Sequence, residues 1–125
     1  MGKKHSPLFL QRVEHSRSII NECDIDEFCS MLVDNDSLIV IDVREKHEYE
    51  SGHMEHALHI SKGVLERDIE KHPIGTSDRI VLYCGGGFRS AIAAQSLKEM
   101  GYEDVYSLWG GWRAILATDI KKSSL

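Results

Sequence analysis

Cysteine is scarce in this chain. Three thiols, Cys23, Cys29 and Cys84, are scattered through 125 residues without framework spacing. An odd, uneven set of this kind argues against a disulfide scaffold. Basic charge is short as well: 15 Lys and Arg stand against 20 Asp and Glu, a formal net charge of −5. With no basic face, nucleic acid is not expected as a partner. Capture of an anionic substrate would have to rest on local donors. No apolar run reaches membrane-spanning length, and the start lacks the apolar core of a signal peptide, so a cytoplasmic location without stable membrane association is expected. Residues 1–6 do spell Met-Gly-x-x-x-Ser beside Lys3 and Lys4, the N-myristoylation pattern. One such acyl chain gives only marginal membrane binding. Internal repeats and low-complexity tracts are absent.

What is present is one domain's worth of chain in which 42% of residues are hydrophobic. A chain of this size buries roughly two-thirds of its unfolded surface around a single core. Residues 1–17 form an N-terminal extension in which Pro7 to Ser16 suggests a short docked helix, with Leu8, Phe9, Leu10 and Val13 on its apolar side. Residues 18–119 carry the domain, and residues 120–125 are expected to fray. Within the domain, Ser18 to Glu22 suggests a strand. Asp24-Ile25-Asp26-Glu27 is a capping box opening a helix to about Val33, with Ile25, Phe28, Cys29 and Leu32 facing inward. Leu38 to Ile41 is a continuous apolar run, as in a strand covered on both faces. Lys46 to Ser51 suggests one or two helical turns closed by Gly52. Ala57 to Ile60 is a short strand, and Val64 to Lys71 a helix. Arg79 to Tyr83 and Asp104 to Leu108 are strands, Ser90 to Met100 a helix stopped by Gly101, and Gly110-Gly111 turns into a last helix carrying Trp112, Ile115 and Leu116.

Short apolar strands alternating with helices predict an α/β domain with a mostly parallel sheet. Ligands of such sheets sit beyond the carboxyl ends of the strands. That rule gathers Asp42 and Arg44, Ser61 and Lys62, Cys84 to Arg89, and Trp109 and Gly110 into one neighbourhood. At its centre is Cys84-Gly85-Gly86-Gly87-Phe88-Arg89-Ser90. Glycines let main-chain N–H groups approach whatever lies in the bend. Together with the free donors at the start of the next helix they form an anion cradle. A cysteine in that cradle is expected to be exposed and ionised near neutral pH, hence nucleophilic.

With these residues in hand, the chain resembles a single-domain rhodanese, a sulfurtransferase, over roughly Ile19 to Ala117. The resemblance is carried by Ile41-Asp42-Val43-Arg44-Glu45 with Glu48-Tyr49, by Gly52-His53-Met54 with Ala57, by Cys84 to Ser90, and by Leu108-Trp109-Gly110-Gly111-Trp112. It implies a five-stranded parallel sheet flanked by helices on both faces. It also implies a Cys84 that carries sulfur, with Gly85, Gly86, Gly87, Phe88 and Arg89 binding the transferred group through their amides. The implied chemistry is double displacement: Cys84 takes sulfane sulfur from a donor such as thiosulfate, then passes it to cyanide, to glutathione or to a protein cysteine. No cofactor is needed and no metal. The family pattern is not followed at Met54-Glu55-His56, where an apolar residue, Pro and Gly are usual. Gly85-Gly86 likewise matches neither thiosulfate-using nor mercaptopyruvate-using relatives.

Several roles stay open at this stage. Arg89 is the favoured group for pinning an anionic donor or bracing the loop, ahead of Lys62 and Arg44. Arg44 also suits an ion pair between loops, and Asp42 a hydrogen-bonding brace. Ser90 supports the loop; Phe88 and Trp109 pack and shape the rim. A Cys-dependent phosphatase or arsenate reductase is disfavoured, because those enzymes place five residues between Cys and Arg and this chain places four, Gly85 to Phe88. A non-catalytic or sulfur-relay module is the other alternative. His53, His56 and His59 recur at intervals of three, but the stretch crosses a turn with no helix to align them on a metal.

Overall fold

The computed structural model describes residues 4–124, so the Met-Gly start of the acylation pattern lies outside the described residues. Five parallel strands form the sheet: β1 (Asn21–Cys23), β2 (Ile39–Asp42), β4 (Leu58–His59), β5 (Arg79–Tyr83) and β6 (Asp104–Leu108). Their order is β1-β6-β5-β2-β4, with β5 in the middle. The helices are α1 (Pro7–Arg17), α2 (Ile25–Asp34), α3 (Lys46–Ser51), α4 (Leu65–Asp68, flanked by 3-10 turns), α5 (Phe88–Glu99) and α6 (Gly111–Leu116). The architecture is the five-stranded parallel α/β sheet that the sequence implied. Among the described residues, no helix is long and apolar enough to cross a membrane.

Local chemistry explains the element ends. The Asp24 carboxylate accepts from the Glu27 N–H while Glu27 accepts from the Asp24 N–H, a complete capping box at α2. α5 begins at Phe88, two residues before the expected Ser90, because Gly87 takes a left-handed φ of 110° and turns the chain directly into the helix.

Strand pleating divides the core. Ile80, Leu82 and Cys84 project to one face with Ile41, Val43 and Val105, under α4 and α5. Val81 and Tyr83 project to the other with Val40 and Leu108, against Phe28 of α2 and Ile115 of α6. This period of two decides which neighbours Cys84 has.

The chain ends differ from a plain domain with loose extensions. α1 docks on α5 through a partly buried polar knot. Arg12 donates to Ser16 Oγ at 2.6 Å and to Gln95 Oε1 at 2.9 Å, and the Ser16 hydroxyl donates to the same amide oxygen at 2.7 Å. Of its expected apolar side, Val13 is buried, but Leu8 is 78% exposed and Leu10 is exposed too. At the other end the expectation of a frayed tail is corrected. β7 (Lys122–Ser123) pairs antiparallel with β3 (His53–Met54), and Glu55 N–H donates to Lys121 at 2.9 Å. The reason is an open main-chain edge at β3, which this segment satisfies, with Ile120 packed against the core.

Candidate active site

Cys84 follows the central strand and stands where the Gly85–Gly87 bend meets the start of α5. Its Sγ receives the Gly87 N–H at 3.2 Å and the Ser90 N–H at 3.3 Å. The orientation of the bend is imposed from behind by the turn into α6. Trp112 N–H donates to Cys84 O at 2.7 Å, Gly110 N–H to Gly86 O at 3.0 Å and Arg113 N–H to Gly85 O at 3.2 Å. In a trans peptide, a carbonyl and the following N–H point in opposite directions. Tying the three carbonyls to α6 therefore turns the N–H groups of Gly85, Gly86 and Gly87 away from it, and the last of these lands on the sulfur.

The approach of α6 is close enough to demand glycine. Gly111 has φ 51°, and a Cβ there would fall 2.4 Å from Cys84 O and 2.9 Å from the Gly85 carbonyl carbon.

Beneath the sulfur lies a buried pair of hydroxyls. Ser90 Oγ is 3.5 Å from Cys84 Sγ and 2.8 Å from Ser107 Oγ. Ser107, unremarked in the sequence, shares Cys84's face of the sheet because it is two residues beyond Val105 on β6. Among the described residues Ser107 Oγ has no second partner. If the sulfur holds a proton and donates it to Ser90, the chain ends on a Ser107 hydrogen with no acceptor. If the sulfur accepts, every hydrogen in the chain is used. Burial makes that difference matter.

The expectation of an exposed sulfur is corrected: Cys84 is only 1% exposed. Loop amides and Ser90 surround it, and the residue forms part of the floor of a cavity of about 1000 Å³. The other two thiols are elsewhere. Cys29 is half-buried, and Cys23 is buried, its thiol pushed up to about 12 by desolvation first and the neighbouring carboxylates second.

The other candidates divide sharply. Arg89 lines the cavity but is engaged in a two-pronged pair with Glu48 of α3, at 2.7 and 3.1 Å. It braces the loop, and its hydrogen bonds hold Glu48 down to about 2 against the opposing effect of burial. Phe88 and Trp109 stack at 5.6 Å along the cavity, and the Arg17 guanidinium lies 3.7 Å from the Trp109 ring centroid. Asp42 and Arg44 are not in the cavity. They share the parity of Val40, so they turn to the opposite face, where Arg44 grips Asp42 (2.8 Å), donates to Gly52 O (2.7 Å) and lies over Trp112. Asp42 is fully buried there. Lys62 follows β4, two strands away from β5. At about 4.8 Å per strand that is about 10 Å of sheet, and Lys62 does not line the cavity.

Residues the sequence reading passed over complete the walls. His5 and Phe9 come from the N-terminal extension, and Arg113 from α6. Arg113 forms no ion pair among the described residues. His53 and His59 both stack on Tyr49, at 3.7 and 4.5 Å, whereas His56 is exposed beside Glu55.

Comparison with known proteins gives a consistent set of relatives. A family model described as the rhodanese-like domain matches residues 24–118. Thiosulfate sulfurtransferase GlpE of Coxiella burnetii is 37% identical over 86 residues, covering 66% of this chain and 78% of the relative. YrkF of Bacillus subtilis, whose name is that of a candidate sulfur carrier, is 33% identical over 103 residues. That match covers 80% of this chain but only 55% of the relative. The polysulfide-sulfur transferase homodimer of Wolinella succinogenes shares the fold, with a TM-score of 0.79, 23% identity, and coverage of 94% of this chain and 88% of that one.

Two outcomes follow from this geometry. Gly111→Ala should lose stability by more than the about 1–2 kcal/mol of a left-handed backbone alone, because the loop must also retreat. Urea unfolding would show the loss, and slower alkylation of Cys84 would show the retreat. The Glu48–Arg89 pair should contribute stability that is fully present above pH 4.5 and is lost as pH falls through about 2. The difference in urea midpoint between wild type and Glu48→Gln should therefore shrink across that window, and a constant difference would count against the pair.

Proposed function

We propose that this chain, which belongs to the rhodanese-like domain family, is a sulfurtransferase that carries sulfane sulfur on Cys84. The observation that supports the reading best is the pair of main-chain N–H groups on Cys84 Sγ at the floor of a cavity. A thiolate there attacks the outer sulfur of thiosulfate. A sulfur–sulfur bond forms to Cys84, the bond to the sulfonyl sulfur breaks, and its electron pair leaves with sulfite. The product is an anionic persulfide whose outer sulfur reaches into the cavity, within range of the amides that the bend turns inward. In the second step an acceptor takes that sulfur, becoming thiocyanate from cyanide or a new persulfide from glutathione or a protein thiol, and the Cys84 thiolate returns. Splitting the transfer in two lets one sulfur serve donor and acceptor in turn.

Burial of Cys84 suits this chemistry. The attacking atom needs one line of approach, and the charge on it is better stabilised by fixed dipoles than by mobile water. Arg89 is committed to Glu48, so among the described lining residues Arg113 is the arginine available to an anionic donor. Asp42 and Arg44 act at a distance, fastening the Gly52 turn on the opposite face.

After incubation with thiosulfate, mass spectrometry should find one added sulfur atom on Cys84, and Cys84→Ser should fold without taking any. Absence of sulfur on the wild-type residue with every sulfane donor would leave a binding module instead. Arg113→Ala should raise KM for thiosulfate about threefold to tenfold and leave kcat close to wild type. An unchanged KM would remove Arg113 from donor binding.

A further inference from the structure

The cavity over Cys84 is far larger than thiosulfate needs, and one wall comes from outside the residues that match the family model. His5 packs against Phe88 at 4.7 Å and against Phe9 at 5.3 Å, and Phe9 stacks on Phe88 at 6.4 Å. Phe88 in turn stacks on Trp109, 38% exposed, at 5.6 Å. The result is a continuous aromatic wall of four rings beside the sulfur. The helix bearing Phe9 is fastened separately, by Val13 and by the Arg12–Ser16–Gln95 knot. At about 1000 Å³ the cavity, which is half open to solvent, has room along its rings for an organic molecule. The two sulfurs and three oxygens of thiosulfate would leave most of it to water. Arg113, which lines the same cavity, supplies a cation without an ion-pair partner among the described residues.

Resting on the sulfurtransferase reading, we propose that the favoured donor is an organic sulfane carrier, anionic at its sulfur-bearing end and aromatic or broadly apolar in its body. His5 and Phe9 of the N-terminal extension select it. The body lies along the ring wall, the anionic group faces Arg113, and the terminal sulfur points at Cys84. Thiosulfonates, R–SO2–S⁻, isolate this feature, because the chemistry is constant while R changes. Cys84 thiolate bonds to the terminal sulfur, that sulfur's bond to the sulfonyl group breaks, and the pair departs on the sulfinate. No oxidant or reductant is consumed.

The experiment compares benzenethiosulfonate with methanethiosulfonate as donors to the full chain, with cyanide as acceptor and thiocyanate as readout. The ratio of their kcat/KM values is taken for wild type, Phe9→Ala, Phe9→Leu, His5→Ala and Leu8→Ala. Differences in leaving group cancel when each variant's ratio is divided by that of wild type. Loss of a ring contact should lower the ratio about twofold to tenfold for Phe9→Ala and for His5→Ala. Leu8→Ala, on the exposed side of the same helix, should leave it unchanged. Phe9→Leu keeps an apolar side chain at the position, and so serves if Phe9→Ala does not fold. Ratios equal to wild type in the Phe9 and His5 variants would overturn the inference. If wild type transfers no sulfur even from thiosulfate, the sulfurtransferase reading fails by itself. The subsite is then judged by quenching of tryptophan fluorescence with benzenesulfinate: weaker binding in Phe9→Leu and His5→Ala supports it, and unchanged binding overturns it.

Discussion

Three hydrogen bonds hold this site in its working shape, and none of them touches the sulfur. They run from the N–H groups of Gly110, Trp112 and Arg113 to the carbonyls of Gly86, Cys84 and Gly85. A glycine-rich bend has many conformations available, most of which would scatter its amides. Here the α6 turn takes the carbonyls, and peptide planarity does the rest. The donors facing Cys84 are therefore organised before any ligand arrives, as electrostatic stabilisation of a transient anion requires. Gly111 is the contact point at which a side chain would push the two loops apart.

Around this latch the domain is arranged by pleat. Cys84, Ser107 and the α5 start lie on one face of the sheet, and the Asp42–Arg44 pair lies on the other with Tyr83 and Trp112. Both groups stand at the carboxyl ends of strands, yet they serve different ends. One presents a sulfur to a cavity. The other ties β2 to the turn at Gly52 under the rings of Trp112 and Tyr83. A buried ion pair of this kind carries a heavy desolvation cost and specifies geometry more than it adds stability. The Glu48–Arg89 pair, partly buried on the cavity side, braces the cysteine loop against α3.

Much of this was legible in the sequence where a single local signal dominates. β5 and β6 fall on the expected residues because Ile80 to Tyr83 is an apolar run, and Val105, Tyr106 and Leu108 supply β-favouring residues, each between turns. The cysteine loop was legible because cysteine, glycines and a helix start have few other joint uses. The topology rule then gathered too much. It placed Lys62 and Arg44 with Cys84, because it knows the end of the sheet but not the face. Counting by twos from Val40 would have turned Asp42 and Arg44 away, and counting from Val105 would have found Ser107. Glu48 stood in a quoted motif without a role; its charge opposite Arg89 was the available clue. His5 gave no signal, and Phe9 gave only that of a docked helix's apolar side, not of a cavity wall. Their partner Phe88 is about eighty residues distant along the chain, and only tertiary packing joins them. The strand at Lys122–Ser123 was hidden for the same reason.

The cavity wall built by α1 separates two tasks that enzymes often entangle. On the proposed reading, bond making belongs to the loop and its latch, while the shape of the admissible molecule belongs to a helix held by Val13 and by the polar knot that Arg12 and Ser16 share with Gln95 of α5. Such a division makes selectivity an exchangeable cassette: one leader helix could be substituted for another, and the repertoire of carriers would change while the chemical engine stayed untouched.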